Sequence, residues 1–202
     1  MNRPRFGAMI LAAGLSTRMR ENKVLLPWRD GRPIVAHVAA KFANTGINPV
    51  LVVTGRDASD VRGAVADLDV RCVHNSDFAG GEMLSSVKAG LGALPGDLAG
   101  AFIQPADMPC VPQAVISALA AAHEPGWNLA PRFEGRRGHP VLLDRANWRS
   151  MLALPAEARP RDGLRGARLR LVDVKDAGVL LDVDTRAAYE RALESSGFTD
   201  RA

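Results

Sequence analysis

The chain of 202 residues contains only two cysteines, Cys72 and Cys110, far apart and without a C-x-x-C or a His-rich neighbour. A zinc site and a disulfide framework are therefore not indicated, and both thiols are expected to be buried and free. Long hydrophobic runs are also missing. The apolar run that begins at Ala8 gives way almost at once to a polar loop, and nothing of membrane-spanning length follows. The expectation is a cytoplasmic chain with no membrane partner. No dense basic run occurs either: 26 basic against 22 acidic residues leave +4, mild for a nucleic-acid binder, so an anionic small molecule fits better than nucleic acid. With no internal repeat or low-complexity tract, and 47% hydrophobic content, residues 1–202 are expected to form a single domain.

Glycine is absent where two nucleotide motifs require it. After Gly14 the next glycine is Gly31. This excludes both the G-x-G-x-x-G turn of a dinucleotide site and the G-x-x-x-x-G-K-[ST] loop.

What is present begins at Ala8–Pro27. Met9, Ile10 and Leu11 read as a buried strand that opens, through two alanines and Gly14, into a small-residue loop carrying Ser16, Thr17, Arg18 and Lys23. Backbone N–H groups, hydroxyls and two cations at a strand's carboxyl end suit a triphosphate. A solvated surface loop is the bland alternative.

Strand and helix patterns then alternate. A helix is expected from Pro33 to Thr45, a strand over Pro49–Thr54, a helix over Ala58–Ala66 and a strand over Val70–His74. Next come a helix over Met83–Leu94, a strand over Ala99–Gln104 and a helix over Pro112–Ala122. This is the pattern of a parallel sheet with helices on both faces. Beyond His123 the rhythm breaks into short strands at Trp127–Pro131, His139–Leu143 and Leu169–Val174. An extended stretch over Val179–Val183 leads into a last helix, Arg186–Glu194. This portion is expected to be a mixed or antiparallel extension laid over the carboxyl edge, holding a second substrate.

Two carboxylate sources stand out. Asp107 lies just past a strand and is flanked by Pro105 and Pro109; it can hold a divalent cation, or bond its own backbone as a turn aspartate. In Asp182-Val183-Asp184-Thr185, strand alternation would put both aspartates on one face, whereas the capping alternative makes Asp184 or Thr185 the N-cap of the final helix. Asn75, Gly80, Gly81, Ser85 and Ser86 form a loop and helix start able to receive a base or phosphate. Arg136 and Arg137 beside His139 suggest an edge that faces an anion.

Leu11-Ala12-Ala13-Gly14, Ser16, Arg18, Met19, Lys23, Leu25, Leu26 and Pro27 resemble the LAAGxSxRMGxxKxLLP signature loop of nucleotidyltransferases. The branch is that of molybdenum cofactor cytidylyltransferases and related MobA-like enzymes, with Arg20 in place of a family glycine. Asn75 with Ser85-Ser86, Asp107-Met108-Pro109, Gly138-His139-Pro140, the Asp162 to Arg168 stretch and Asp182-Val183-Asp184-Thr185 follow in the family's order; Glu82 replaces another family glycine.

The resemblance implies a three-layer, Rossmann-like α/β nucleotidyltransferase fold, mostly parallel with a small mixed or antiparallel extension. It implies Arg18, Lys23 and Asp107 as catalytic, and Leu11, Ala12, Ala13, Gly14, Ser16, Arg18, Lys23, Asn75, Gly81, Ser85 and Ser86 around the nucleotide. His139 and Arg168 are implied at the acceptor, and Mg2+ on Asp107 and Asp184 with Asp182 in support. The implied reaction transfers CMP from CTP to the phosphate of a molybdopterin-type cofactor and releases pyrophosphate, and a molybdoenzyme or its maturation chaperone is the implied protein partner. Three other readings stay open: guanylyl transfer, activation of a sugar or alditol phosphate, and a nucleotide-binding module without turnover.

Overall fold

The computed structural model describes residues 4–14, 22–80 and 83–194. An 8-stranded sheet is built from Phe6–Ala12 (β1), Val50–Thr54 (β2), Arg71–His74 (β3), Gly100–Pro105 (β4), Asn128–Phe133 (β5), Arg136–Arg137 (β6), Val141–Asp144 (β7) and Leu169–Asp173 (β8). The helices are Ile34–Asn44 (α1), Ala58–Ala64 (α2), Met83–Ala93 (α3), Gln113–Ala121 (α4), Trp148–Leu152 (α5) and Arg186–Glu194 (α6).

The strands run in the order β3-β2-β1-β4-β7-β5-β6, and β8 pairs with β5. β1 is parallel to β2 and β4, and β2 to β3, as the alternating strand and helix pattern requires. Along β1 successive side chains alternate between faces. Ile10 packs with Val52 and Phe102 against Ile34, Val38 and Phe42 of α1, and α4 contributes Ile116 and Leu119 to that layer. Met9 faces the other way, with Leu51, Val53 and Ile103, against Leu84, Val87 and Leu91 of α3 and Trp148 and Met151 of α5. Each fully buried Leu, Ile or Phe of these two cores contributes about 2 kcal/mol of transfer free energy, which offsets the entropy of ordering the three layers.

The extension departs from expectation. Its strands lie beside the parallel strands and lengthen the same sheet, and only irregular segments such as 177–184 reach the carboxyl edge. β7 runs antiparallel to β4, with Gly100 opposite Asp144 and Ile103 opposite Val141; a Cβ at Gly100 would come within 2.8 Å of the Leu143 carbonyl oxygen. β5 then pairs antiparallel with β7 and parallel with β8. The hairpin from β5 to β6 turns through Glu134 and Gly135, both at positive φ, as a tight turn matched to strand twist needs.

The Val179–Val183 stretch also differs. Ala177–Leu180 forms a 3-10 turn in which the Asp176 side chain accepts from the Gly178 N–H, and no strand follows before α6. Val179 is fully buried and its carbonyl accepts from His139 N–H at 2.9 Å. The segment is therefore held by isolated contacts to the ends of other elements and not by a ladder.

Candidate active site

At its carboxyl end β1 passes through Ala12 and Ala13, both buried, to Gly14, which is exposed; Leu11 is half-buried. Ala13 sits so close to Gly55 that a Cβ there would lie 2.8 Å from the Ala13 carbonyl oxygen. Ser16, Arg18 and Gly81 lie outside the described residues.

Lys23 is aimed by its own short turn. Asn22 accepts from the Val24 N–H through Oδ1 and donates through Nδ2 to Asp57 Oδ2 at 2.9 Å, capping a 3-10 turn over Lys23–Leu25. Val24 is buried and the Leu26 carbonyl accepts from Ile34 at the start of α1. The turn is thus fixed at both ends, and Lys23 Nζ donates to Asp107 Oδ2 at 2.5 Å and to Asp184 Oδ1. Burial alone would lower the lysine pKa, but the two carboxylates outweigh it and raise it above the usual 10.5. Lys23 is therefore a fixed cation across the neutral range.

Asp107 stands on a rigid support. Ala106 donates to the Leu11 carbonyl one residue past β4, and Ala106, Met108, Cys110 and Val111 are all buried. Beneath this loop Lys41 of α1, itself buried, donates to the carbonyls of Pro109 at 2.8 Å and Val111 at 3.0 Å. The loop then meets the 177–183 segment: Val183 N–H donates to the Asp107 carbonyl at 2.9 Å, and a Cβ on Gly178 would collide with the Cys110 carbonyl.

The capping alternative for the 182–185 run falls to Thr185, whose Oγ1 accepts from Ala188 N–H at 3.1 Å at the start of α6. Asp184 turns the other way, toward Lys23. Asp182 is exposed, and among the described residues no group of three or more His, Cys, Asp and Glu is gathered. No strand forms over 182–184, so the alternation expected to put the two aspartates on one face is absent there.

Asp107 and Asp184 approach one ammonium together, so a single cation reaches both. Two hard carboxylate oxygens fit Mg2+, which takes one or two carboxylates and fills its remaining positions with phosphate oxygens and water.

Asn75 is buried and spent internally. Nδ2 donates to Ser85 Oγ at 2.8 Å and Ser86 Oγ at 3.1 Å, Oδ1 accepts from Asp77 N–H at 3.0 Å, and its own N–H donates to the Thr54 carbonyl. It staples the end of β3 to the start of α3 and sets the two serines. A cavity of about 710 Å³ opens beside them, lined by His74, Asp77, Gly80, Leu84 and Lys88.

His139 precedes β7 at the same edge. Burial holds its pKa below the usual 6.5, its ring bonds the Ile103 backbone, and Asp107 is within electrostatic reach. Its Nδ1 is buried with no partner. Arg168 is not brought to this edge. It begins the β8 side of the β5 pairing, where its carbonyl accepts from Asn128 N–H, and its guanidinium lies over the Trp127 ring at 5.5 Å. Since β5 and β8 run parallel to β4 through the antiparallel β7, the beginnings of β5 and β8 belong to the amino edge, opposite Asp107.

Sequence reasoning missed Lys41, Asn22 and Gly178. Asn22 had a local signal, since asparagine before a short apolar turn is a cap. Lys41 had none, because a lysine on an amphipathic helix reads as solvated. Neither cysteine is in a disulfide; Cys110 is buried, whereas Cys72 is only half-buried.

Residues 8–174 match the family model described as a MobA-like NTP transferase domain. Molybdenum cofactor cytidylyltransferase of Escherichia coli K12 is 28% identical over 187 residues, 92% of this chain and 94% of that one. The bifunctional protein GlmU of Rhizobium johnstonii is 51% identical over 67 residues, 31% of this chain but only 15% of GlmU. Among solved structures, Rv0371c from Mycobacterium tuberculosis H37Rv is 26% identical, with a TM-score of 0.79 and coverage of 95% of this chain and 99% of that one. A structure of Rv0371c in complex with manganese has a TM-score of 0.75 at 24% identity and covers 96% and 100%. A carboxyl-edge site joining a fixed lysine to two aspartates, on a mostly parallel α/β sheet, agrees with these matches: the chain belongs to the MobA-like NTP transferase family and is a nucleotidyltransferase.

Proposed function

We propose that this chain transfers CMP from CTP to the phosphate of a molybdopterin-type cofactor, with magnesium bound at Asp107 and Asp184. The convergence of Lys23 on both carboxylates carries the reading, and the near full-length similarity to a molybdenum cofactor cytidylyltransferase supports the choice of acceptor. An acceptor phosphate oxygen attacks the α-phosphorus, the bond from that phosphorus to the bridging oxygen breaks, and pyrophosphate leaves. The acceptor is already ionised near neutral pH, so little is required of a protein base; alignment and charge neutralisation dominate.

In this reading Lys23, with Arg18 and Ser16, holds the triphosphate and stabilises charge on the departing pyrophosphate. Leu11 to Gly14 supply backbone close to the nucleotide, Asn75 presents Ser85 and Ser86 to the nucleoside cavity, and Gly81 is assigned to the nucleotide with them. His139 serves the acceptor. Bound magnesium supplies charge neutralisation at the α-phosphate and the incoming oxygen. A molybdoenzyme or its maturation chaperone receives the product, and the work is assigned to the cytoplasm; no described helix is long and apolar enough to cross a membrane.

The test is pyrophosphate release with each of CTP, GTP, UTP and ATP, with and without magnesium, on a molybdopterin acceptor. Magnesium-dependent release greatest with CTP is expected. Preference for GTP moves the chain to guanylyl transfer. Turnover only with a sugar phosphate moves the chain to activation of such acceptors instead, and no turnover with any nucleotide leaves a binding module.

A further inference from the structure

A second cavity, of about 360 Å³, lies beside the His139 end of β7. Met83 borders it and the next residue, Leu84, borders the larger cavity near Asn75, so the two flank the first turn of α3. Their chemistries differ. The larger one mixes Asp77 and Glu157 with Lys88. The smaller has an apolar floor that includes Ile103, Val141 and Leu164, a rim of three arginines, Arg137, Arg159 and Arg161, and no carboxylate in its lining.

Those arginines make no close ion pair. Among the described residues none has an ion-pair partner within 4 Å, unlike Arg132 on Asp173 or Arg170 on Glu124. The nearby carboxylate, Asp162, lies outside the lining: it accepts from the backbone N–H of Arg159, pairs with Arg165, and feels Arg161 and Arg159 electrostatically without a close ion pair to either. Three guanidiniums around an apolar floor, with one carboxylate outside the lining, leave a net positive rim, and each offers a planar fork suited to carboxylate or phosphate oxygens. His139 adds a second observation. It lines the same cavity and its Nδ1 is buried without a hydrogen-bond partner among the described residues.

We infer that this cavity receives the non-reacting body of the acceptor, and that this body is apolar-faced and carries a negative charge of its own, apart from the phosphate that attacks. The inference rests on the reading of the chain as a nucleotidyltransferase acting on a phosphorylated acceptor. It assigns Arg137, Arg159 and Arg161 to acceptor selection, with the attacking phosphate left to the neighbouring edge where Asp107 lies within electrostatic reach of His139. A cavity of this size accepts a two-ring body.

The experiment compares two probes that differ at one substituent, anionic in 6-carboxypterin and neutral in 6-hydroxymethylpterin, by fluorescence titration of the intact protein. Calorimetric titration with CTP and magnesium runs alongside. The wild-type protein is expected to bind the carboxylate about tenfold more tightly, the factor for one charge-assisted contact of about 1.4 kcal/mol. In Arg137→Gln/Arg161→Gln the preference should shrink to less than about threefold, while Arg137→Lys/Arg161→Lys keeps part of it and CTP affinity stays unchanged in both. Both positions are exposed, so neither substitution threatens the fold. Equal binding of the two probes, or a preference that survives in the glutamine variant, overturns the inference. Failure of CTP to bind the wild type removes the nucleotidyl reading, and with it the acceptor role, whatever the probes do.

Discussion

Lys23 Nζ lies 2.5 Å from Asp107 Oδ2 although 84 residues separate them in the chain. The lysine sits on a capped turn after β1 and the aspartate on a buried loop after β4, and adjacent parallel strands deliver both to one edge. Asp184 reaches the same ammonium from 161 residues away, across the start of α6. A site assembled from three remote segments responds to changes in any of its supports.

Removing the cation should be felt in the reaction. Lys23→Ala is expected to lower turnover by about 100- to 1000-fold, as does loss of one preorganised donor. A variant within about threefold of wild type in steady-state pyrophosphate release would take Lys23 out of the chemistry. The same lysine has a signature in metal-free protein. Its native pKa is raised above 10.5, so its stabilising contribution is complete below 10.5 and is lost as pH rises through the higher native value. Melting temperature of wild type in chelator should therefore fall more steeply above that pH than that of Lys23→Met.

Asp184 and Thr185 are neighbours with separable tasks. Thr185→Ala should cost about 1 kcal/mol through the lost cap, lowering the melting temperature by about 2–4 °C, with activity nearly kept. Asp184→Ala should do the reverse, losing turnover that excess magnesium partly restores. Melting curves and magnesium-dependent turnover on both variants decide the matter; an active, less stable Asp184→Ala would return the cap to Asp184.

Gly178 tests the seam between the Asp107 loop and the 177–183 segment. It needs smallness alone, since a Cβ there would meet the Cys110 carbonyl. Gly178→Ala should destabilise by about 1–3 kcal/mol as overpacking and reduce turnover by displacing Asp107, without touching any substrate. Denaturant unfolding and turnover should change together, and a stable variant with low activity would point to a direct role instead.

His139 gives a prediction in acid. Its pKa is held below 6.5 by burial, so the unfolded chain takes up a proton that the native one refuses. Stability from this residue is intact above 6.5 and erodes as pH falls from there toward the lower native value. His139→Gln should flatten that slope, measured as unfolding midpoint against pH. An unchanged slope would mean that the imidazole is hydrated in solution.

The sheet was largely legible because each of its signals is local. Met9 to Leu11, Val50 to Val53 and Ala101 to Ile103 are apolar runs punctuated by turns, and their alternation with helical periods admits few arrangements other than a parallel sheet. Helix boundaries moved by a residue or two at most ends, as at Ala64 in place of Ala66. The 123–183 portion was harder. Short strands such as β6 and β7 carry no signal of their neighbours, and the choice between lengthening the sheet and covering its edge was made by the close approach of β7 to Gly100.

The chain alone determined its family, the loop that bears Lys23 and the two aspartates worth examining, since each is written in contiguous residues whose chemistry is readable without neighbours. Tertiary structure decided which of them meet. It gave the cap to Thr185 and the cation to Asp184, committed Asn75 to holding two serines, and sent Arg168 to the opposite edge over Trp127. It also buried Lys41 beneath the Asp107 loop and gathered Arg137, Arg159 and Arg161 around one cavity. The reason is common to all of these: a side chain's partner across a fold depends on register and strand order, which are set by the packing of the whole sheet and not by the residues beside it in sequence.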